Sequence, residues 1–275
     1  MTSLTPLRIL AVGALVATSA GLSAPAHAAP GDASVSILHA VPGATVDVYA
    51  NGNALLTNFT PGTLTDPVML APGSYDLKVV AAGAGASGTA VTEAKGVTVP
   101  ANANITVVAH LTADGKPVLT PYVNDTAAVP AGQARLTVRH DAAAPAVDVR
   151  ANGTPALKGL VNPKEATAVV AAGTIKADVV LAGTSTVAIG PVDLPLKEGA
   201  NTIVYAWGSA ADKNLKLAVQ TISGMDSAPG GVNAGTGGQA AAGSDLTRGL
   251  LVGGAAVLAG GAVLLPRRRR SIVER

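Results

Sequence analysis

The sequence predicts an all-β protein. The expected architecture is two tandem immunoglobulin-like antiparallel β-sandwiches, with an N-terminal signal helix and a C-terminal transmembrane helix. Three observations predict it. A 14-residue motif occurs twice; segments of period two lie between turn signals; and a long apolar run stands at each end of the chain. Composition agrees, because 32 Gly and 18 Pro in 275 residues work against long helices. Aromatics are 2% of the chain, so the cores must be built from Val, Leu, Ile and Ala.

The repeat runs from His39 to Gly52 (HAVPGATVDVYANG) and from His140 to Gly153 (HDAAAPAVDVRANG), at an offset of 101 without a gap. Ala103-Asn104 matches Ala200-Asn201 at offset 97, as expected where loops differ in length. The copies are set at residues 32–125 and 133–224, joined by Thr126 to Gly132. Each copy opens with a short β-branched strand, Val35 to Leu38 or Leu136 to Val138. Val46 to Tyr49 and Val147 to Arg150 follow, alternating apolar and polar, and end at Asn51-Gly52 and Asn152-Gly153. That dipeptide tolerates positive φ and marks a tight hairpin. Ser74 to Val80, Ile105 to Leu111 and Lys116 to Val123 continue the first copy; Thr174 to Leu181, Thr202 to Trp207 and Lys216 to Ile222 continue the second. About seven strands per copy fit a small sandwich. The short connector suits two sandwiches stacked end to end.

The ends predict the compartment. Arg8, the apolar run Ile9 to Leu22 and Ala26-His27-Ala28 form a signal peptide over residues 1–28, cleaved between Ala28 and Ala29. Residues 225–245 are a Gly/Ala-rich linker with a root-mean-square reach of roughly 25 Å. Residues 246–266 hold the apolar run Gly249 to Leu265, about 26 Å long as a helix, a transmembrane span. Residues 267–275 begin with four arginines, which hold that end in the cytoplasm and leave the body outside.

Charge excludes a class of partner. Seven of the 19 basic residues and one of the 17 acidic residues lie at the two ends, so Ala29 to Asp245 keeps 12 basic and 16 acidic residues, a net −4. A nucleic-acid binder needs a basic face with stacking aromatics, and the body has neither. The chain has no cysteine, which removes disulfides, thiol catalysis and thiolate metal sites.

The repeated titratable residues are His39 with Asp47 and His140 with Asp148, eight apart in each copy. They are expected to form structural hydrogen-bonded pairs. A metal site would need more ligands than one His and one Asp, with Asp141 available in the second copy alone. A catalytic triad would need a nucleophile against the His, and no nucleophile-elbow pattern appears. No cofactor, metal or catalytic residue is therefore expected. His110 stands where the second copy has Trp207, which reads as a packing position. Tyr49, Tyr205 and Trp207 are the candidate ligand-contact aromatics, a possible platform for stacking a sugar.

Two resemblances add to this reading. The order of strand, His, Pro-containing loop, Val-Asp-Val and Asn-Gly, with the later Ala71-Pro72-Gly73-Ser74-Tyr75, resembles the bacterial family known as domain of unknown function 4397. It covers both copies, although the second has Ile175 in place of the Tyr. It implies a secreted or surface β-sandwich and no particular activity. The C-terminal end is similar to the sorting tails of Gram-positive, and in particular actinobacterial, surface proteins. The usual Leu-Pro-x-Thr-Gly is absent, and Ala228 to Gly238 stands in its place. A sortase and peptidoglycan are the partners this implies, beside the membrane itself. The expected function is a non-enzymatic, exported, membrane- or wall-anchored structural or adhesive module with a protein ligand; the alternative is a carbohydrate-binding module for wall or host glycans.

Overall fold

The computed structural model describes residues 29–226. The signal segment up to Ala28, the linker beyond Asp226, the transmembrane run and the basic tail lie outside the described residues. Sixteen strands are present among the described residues. The first eight are β1 (Ala33–His39), β2 (Val46–Ala50), β3 (Asn53–Phe59), β4 (Val68–Leu70), β5 (Gly73–Ala81), β6 (Ala90–Val99), β7 (Asn104–Leu111) and β8 (Pro117–Val123). The second eight are β9 (Gln133–Ala143), β10 (Val147–Ala151), β11 (Thr154–Leu160), β12 (Glu165–Ala171), β13 (Gly173–Leu181), β14 (Val187–Leu196), β15 (Asn201–Ser209) and β16 (Lys216–Ile222).

The first eight make two sheets ordered β4-β1-β7-β8 and β3-β2-β5-β6; the second eight repeat this as β12-β9-β15-β16 and β11-β10-β13-β14. The repeat in the sequence is thus a repeat of strand order. The expectation of antiparallel sandwiches needs correction, because β1 pairs parallel with β7 and β9 parallel with β15. Parallel neighbours require a long crossover, and the chain supplies one by building the whole opposite sheet before returning. Six strands escape the sequence reading: β3, β4, β6, β11, β12 and β14. All six lie at sheet edges and expose much of their length, so their apolar pattern is weak.

The hairpins form where the dipeptides place them. Asn51 and Gly52 have φ of 50° and 80°, and Asn152 and Gly153 of 51° and 79°. Two consecutive positive φ values are the mark of a type I′ turn, whose twist matches that of the flanking strands. Beyond the turns, alternate residues point inward. Val35, Ile37, Val46, Val48, Val79 and Val107 fill the first core. Leu136, Val138, Val147, Val149, Val179 and Val204 fill the second. The two cores differ in volume. Leu55, Tyr75 and Leu77 of the first correspond to Ala156, Ile175 and Ala177 of the second. Those three smaller residues line a cavity of about 20 Å³ in the second sandwich.

The sandwiches do not stack end to end. They lie face to face, with the outer face of β4-β1-β7-β8 against that of β12-β9-β15-β16. A third apolar cluster fills the seam: Leu38, Ala40, Val108 and Tyr122 from the first sandwich, Ile203, Tyr205 and Trp207 from the second. The result is four sheet layers, of which the two inner ones are covered on both sides. That is why β7 and β15 are buried along nearly their whole length. The connector is stitched down. Arg135 bonds the carbonyl oxygen of Ala127 at 2.9 Å and pairs with Asp125 at 3.2 Å. The Val129 amide donates to the Met225 carbonyl at 2.7 Å.

Candidate functional site

The repeated His and Asp residues do not pair with each other; each bonds neighbouring backbone groups instead. His39 ends β1 in one sheet, and Asp47 sits in β2 of the other. His39 is 1% exposed. Its Nε2–H donates to the Ala44 carbonyl at 2.8 Å, and its Nδ1 faces the Val41 amide at 3.4 Å. His140 repeats this with the Pro145 carbonyl at 2.9 Å and the Ala142 amide at 3.4 Å. Each ring closes the loop after its strand. A carbonyl partner fixes the proton on Nε2, and the ring is neutral. Burial holds both imidazoles below their ordinary value, against the opposing pull of the carbonyl bond.

The aspartates repair a local irregularity. Val46 pairs with Phe59 and Val48 with Leu56, so β3 carries a bulge opposite Asp47. A bulge leaves amides without ladder partners. Asp47 Oδ1 accepts the Asn58 amide at 2.8 Å, and Oδ2 accepts the Gly83 amide at 2.8 Å. Asp148 does the same for Gly159 at 2.7 Å and Gly183 at 3.0 Å. Those two amide bonds hold the Asp148 carboxyl below the usual carboxylate range. The Asp therefore ties two strands and the following hairpin loop together. Among the described residues no group of three or more His, Asp or Glu could hold a metal ion.

The aromatic platform is not formed. Tyr205 is fully buried, Trp207 is 4% exposed and Tyr49 is 9% exposed. Trp207 lies in the seam against Gly62 of the first sandwich, where an added Cβ would sit 3.1 Å from the ring. Tyr205 turns its hydroxyl into a buried polar network. A ring without an open face cannot stack a sugar. The scarcity of aromatics makes each one valuable in the core, and that decides their placement.

The network is the feature that the sequence reading missed. Arg139 is 1% exposed. Its guanidinium donates to Glu165 Oε2, the Tyr205 hydroxyl and Asn124 Oδ1, each at 2.8 Å, and stacks 4.1 Å above the Tyr122 ring. The Tyr205 hydroxyl in turn donates to Gln220 Oε1 at 2.6 Å, which also accepts from Thr106 at 2.9 Å. Tyr122 donates to Asp141 Oδ1 at 2.7 Å. His110 Nε2 lies 3.7 Å from the same oxygen, and the His110 ring bonds the Leu111 carbonyl and the Thr120 hydroxyl. Burial drives the Asp141 carboxyl upward, and its Oδ2 has no partner among the described residues. One signal pointed there: the second copy puts Arg139 and Asp141 where the first has Leu38 and Ala40. Both positions face outward from their own sandwich into the seam, where charged residues need partners, and the facing sandwich supplies Asn124 and Tyr122.

Residues 33–150 match a protein family described as Domain of unknown function (DUF4397). The matched stretch takes in all of the first sandwich with β9 and most of β10, so it contains the whole first copy of the motif and the second only from His140 to Arg150, short of its Asn-Gly turn. No curated protein matches the chain.

Proposed function

With the DUF4397 match over residues 33–150 as premise, we infer that the chain is an exported, non-enzymatic surface protein of actinobacterial type. Its body is two DUF4397 copies locked into one rigid interaction module, held to the membrane or wall by the C-terminal end. The observation that carries this reading is the use of the chemistry-bearing side chains. His39, His110 and His140 each spend both ring nitrogens on neighbouring groups. Asp47 and Asp148 spend both oxygens on amides. Arg139 and Tyr122 spend theirs across the seam, and Tyr205 spends its hydroxyl on Arg139 and Gln220 within its own sandwich. Little is left over for acid–base or nucleophilic work.

The apolar runs at the two ends support export and tethering. The test is labelling of intact cells with a membrane-impermeant amine reagent, with mass spectrometry of both termini of the labelled protein. Labelled lysines in the body, an N-terminus at Ala29 and a retained or cleaved C-terminal run are expected. A body labelled only after lysis overturns the reading. A glycan role would need contacts other than Tyr49, Tyr205 and Trp207, and a glycan array with the intact protein tests that alternative.

A further inference from the structure

The seam has two flanks, and they differ. On one flank Tyr122, Arg139 and Glu165 fill the space between the sheets. Strand register makes Gln220 the counterpart of Tyr122 on the other flank, and the repeat makes Leu38 the counterpart of Arg139. These smaller groups leave an open groove of about 380 Å³. One wall is five consecutive residues of β16 and its end, Val219 to Ser223, on an edge with no neighbouring strand. The other wall is the consecutive run Leu64 to Pro67.

The floor holds polar atoms without partners. Gln220 is 8% exposed and Ser36 is 3% exposed. Gln220 commits Oε1 to Tyr205 and Thr106, which turns Nε2 away from them, and this amide has no partner among the described residues. The Ser36 hydroxyl has none either, and Asn104 commits Oδ1 to Asn124 while its Nδ2 is unused. None of these atoms is sealed from solvent, so each opens into the groove, where a ligand can bond to it.

We propose that this groove takes an extended peptide, which adds a strand to the free edge of β16 and sets a basic side chain against Asp66. Main-chain pairing fits a groove that follows consecutive residues of a strand edge. Asp66 is the one charged group among the lining residues, which selects a cationic side chain and rejects an acidic one. A saccharide could use the same side-chain atoms but would leave the strand edge unpaired, and no aromatic ring lines the groove. The proposal rests on the reading of the body as an interaction module.

The test is hydrogen–deuterium exchange on the purified full chain with a capped heptapeptide of alternating threonine and valine carrying one central lysine, at millimolar concentration. Exchange across Lys216 to Ser223 should slow severalfold. The same peptide with glutamate for lysine should protect several times less, and Asp66→Ala should erase that difference. A groove-filling Ser223→Trp variant, at an exposed position, should melt normally and lose the protection. No slowing with the lysine peptide, equal slowing in Ser223→Trp, or slowing by chitotriose in place of the peptide would each overturn the proposal. None of these outcomes depends on where the protein resides, so they stand apart from the surface-labelling test.

Discussion

At the scale of single residues, the buried imidazoles act as loop clamps whose value depends on staying neutral. His39→Ala or His140→Ala leaves a carbonyl without its donor and opens a small void. Each should cost about 2–3 kcal/mol in denaturant unfolding. Acid should work in the same direction. Both rings titrate below the ordinary imidazole value near 6.5 when folded. Between that value and the lower folded one, the unfolded chain takes up protons that the folded chain refuses. Stability therefore falls as pH drops from 7 to 5, by at most about 1.4 kcal/mol per pH unit for each ring. Asp141 opposes this, because burial raises its carboxyl and the folded chain gains that proton first. The clean comparison is of slopes: the double variant His39→Ala/His140→Ala should have a flatter pH–stability curve than the parent. A parallel curve would mean that the rings are not the titrating groups. Asp47 offers a sharper chemical test. Both of its oxygens accept amides, so Asp47→Asn would aim an NH₂ at an N–H. Thermal melts should show the amide variant as damaging as Asp47→Ala.

At the scale of elements, the strands that hold the repeat together were legible, and those that flank it were not. β2 and β10 announced themselves through Val-Asp-Val and an Asn-Gly turn. β7 and β15 did so through runs of β-branched residues. β12, by contrast, alternates exposed and half-buried residues along Glu165 to Ala171 and carries no turn dipeptide of its own. The role of Asp47 was not legible either, because a bulge is a property of two strands in register and leaves no mark on one. The same holds for Arg139, whose partners sit on another sandwich. The copies also differ within one element in a way that can be exploited. Ala177 on β13 borders the small cavity that Leu77 fills in the first sandwich. Ala177→Val should raise the melting temperature, for a gain of up to about 1 kcal/mol. The matching Leu77→Ala should cost about 2–4 kcal/mol by opening an equivalent void. If the two changes have the same sign, the two cores are packed alike.

At the scale of the whole molecule, the face-to-face seam makes two sandwiches into one cooperative body. A half cut at the connector would expose Leu38, Val108, Ile203 and Trp207, and would strip Arg139 of Asn124 and its Tyr122 stack. Calorimetry of the intact protein should show a single transition, and the separated halves should aggregate or melt far lower. Two independent transitions would show that the seam contributes little. Arg139→Ala should cost about 3 kcal/mol or more, since it leaves several seam acceptors without a donor. The seam also gives the body two unlike poles. Strands β1, β7, β9 and β15 all run the same way: Thr106 lies level with Gln220, and His110 level with Asp141. The first strand begins, the connector crosses, and Met225 leaves at one pole. The loops closed by His39 and His140, together with Gly62 and the ends of β7 and β15, crowd the other. A chain suspended by its C-terminal end would hang from the seam itself, with both sandwiches sharing the load at a single point of attachment. The pole that meets the outside world would then be the one formed by the two histidine-clamped loops, presented side by side and twice over, at the greatest distance the body allows from its anchor.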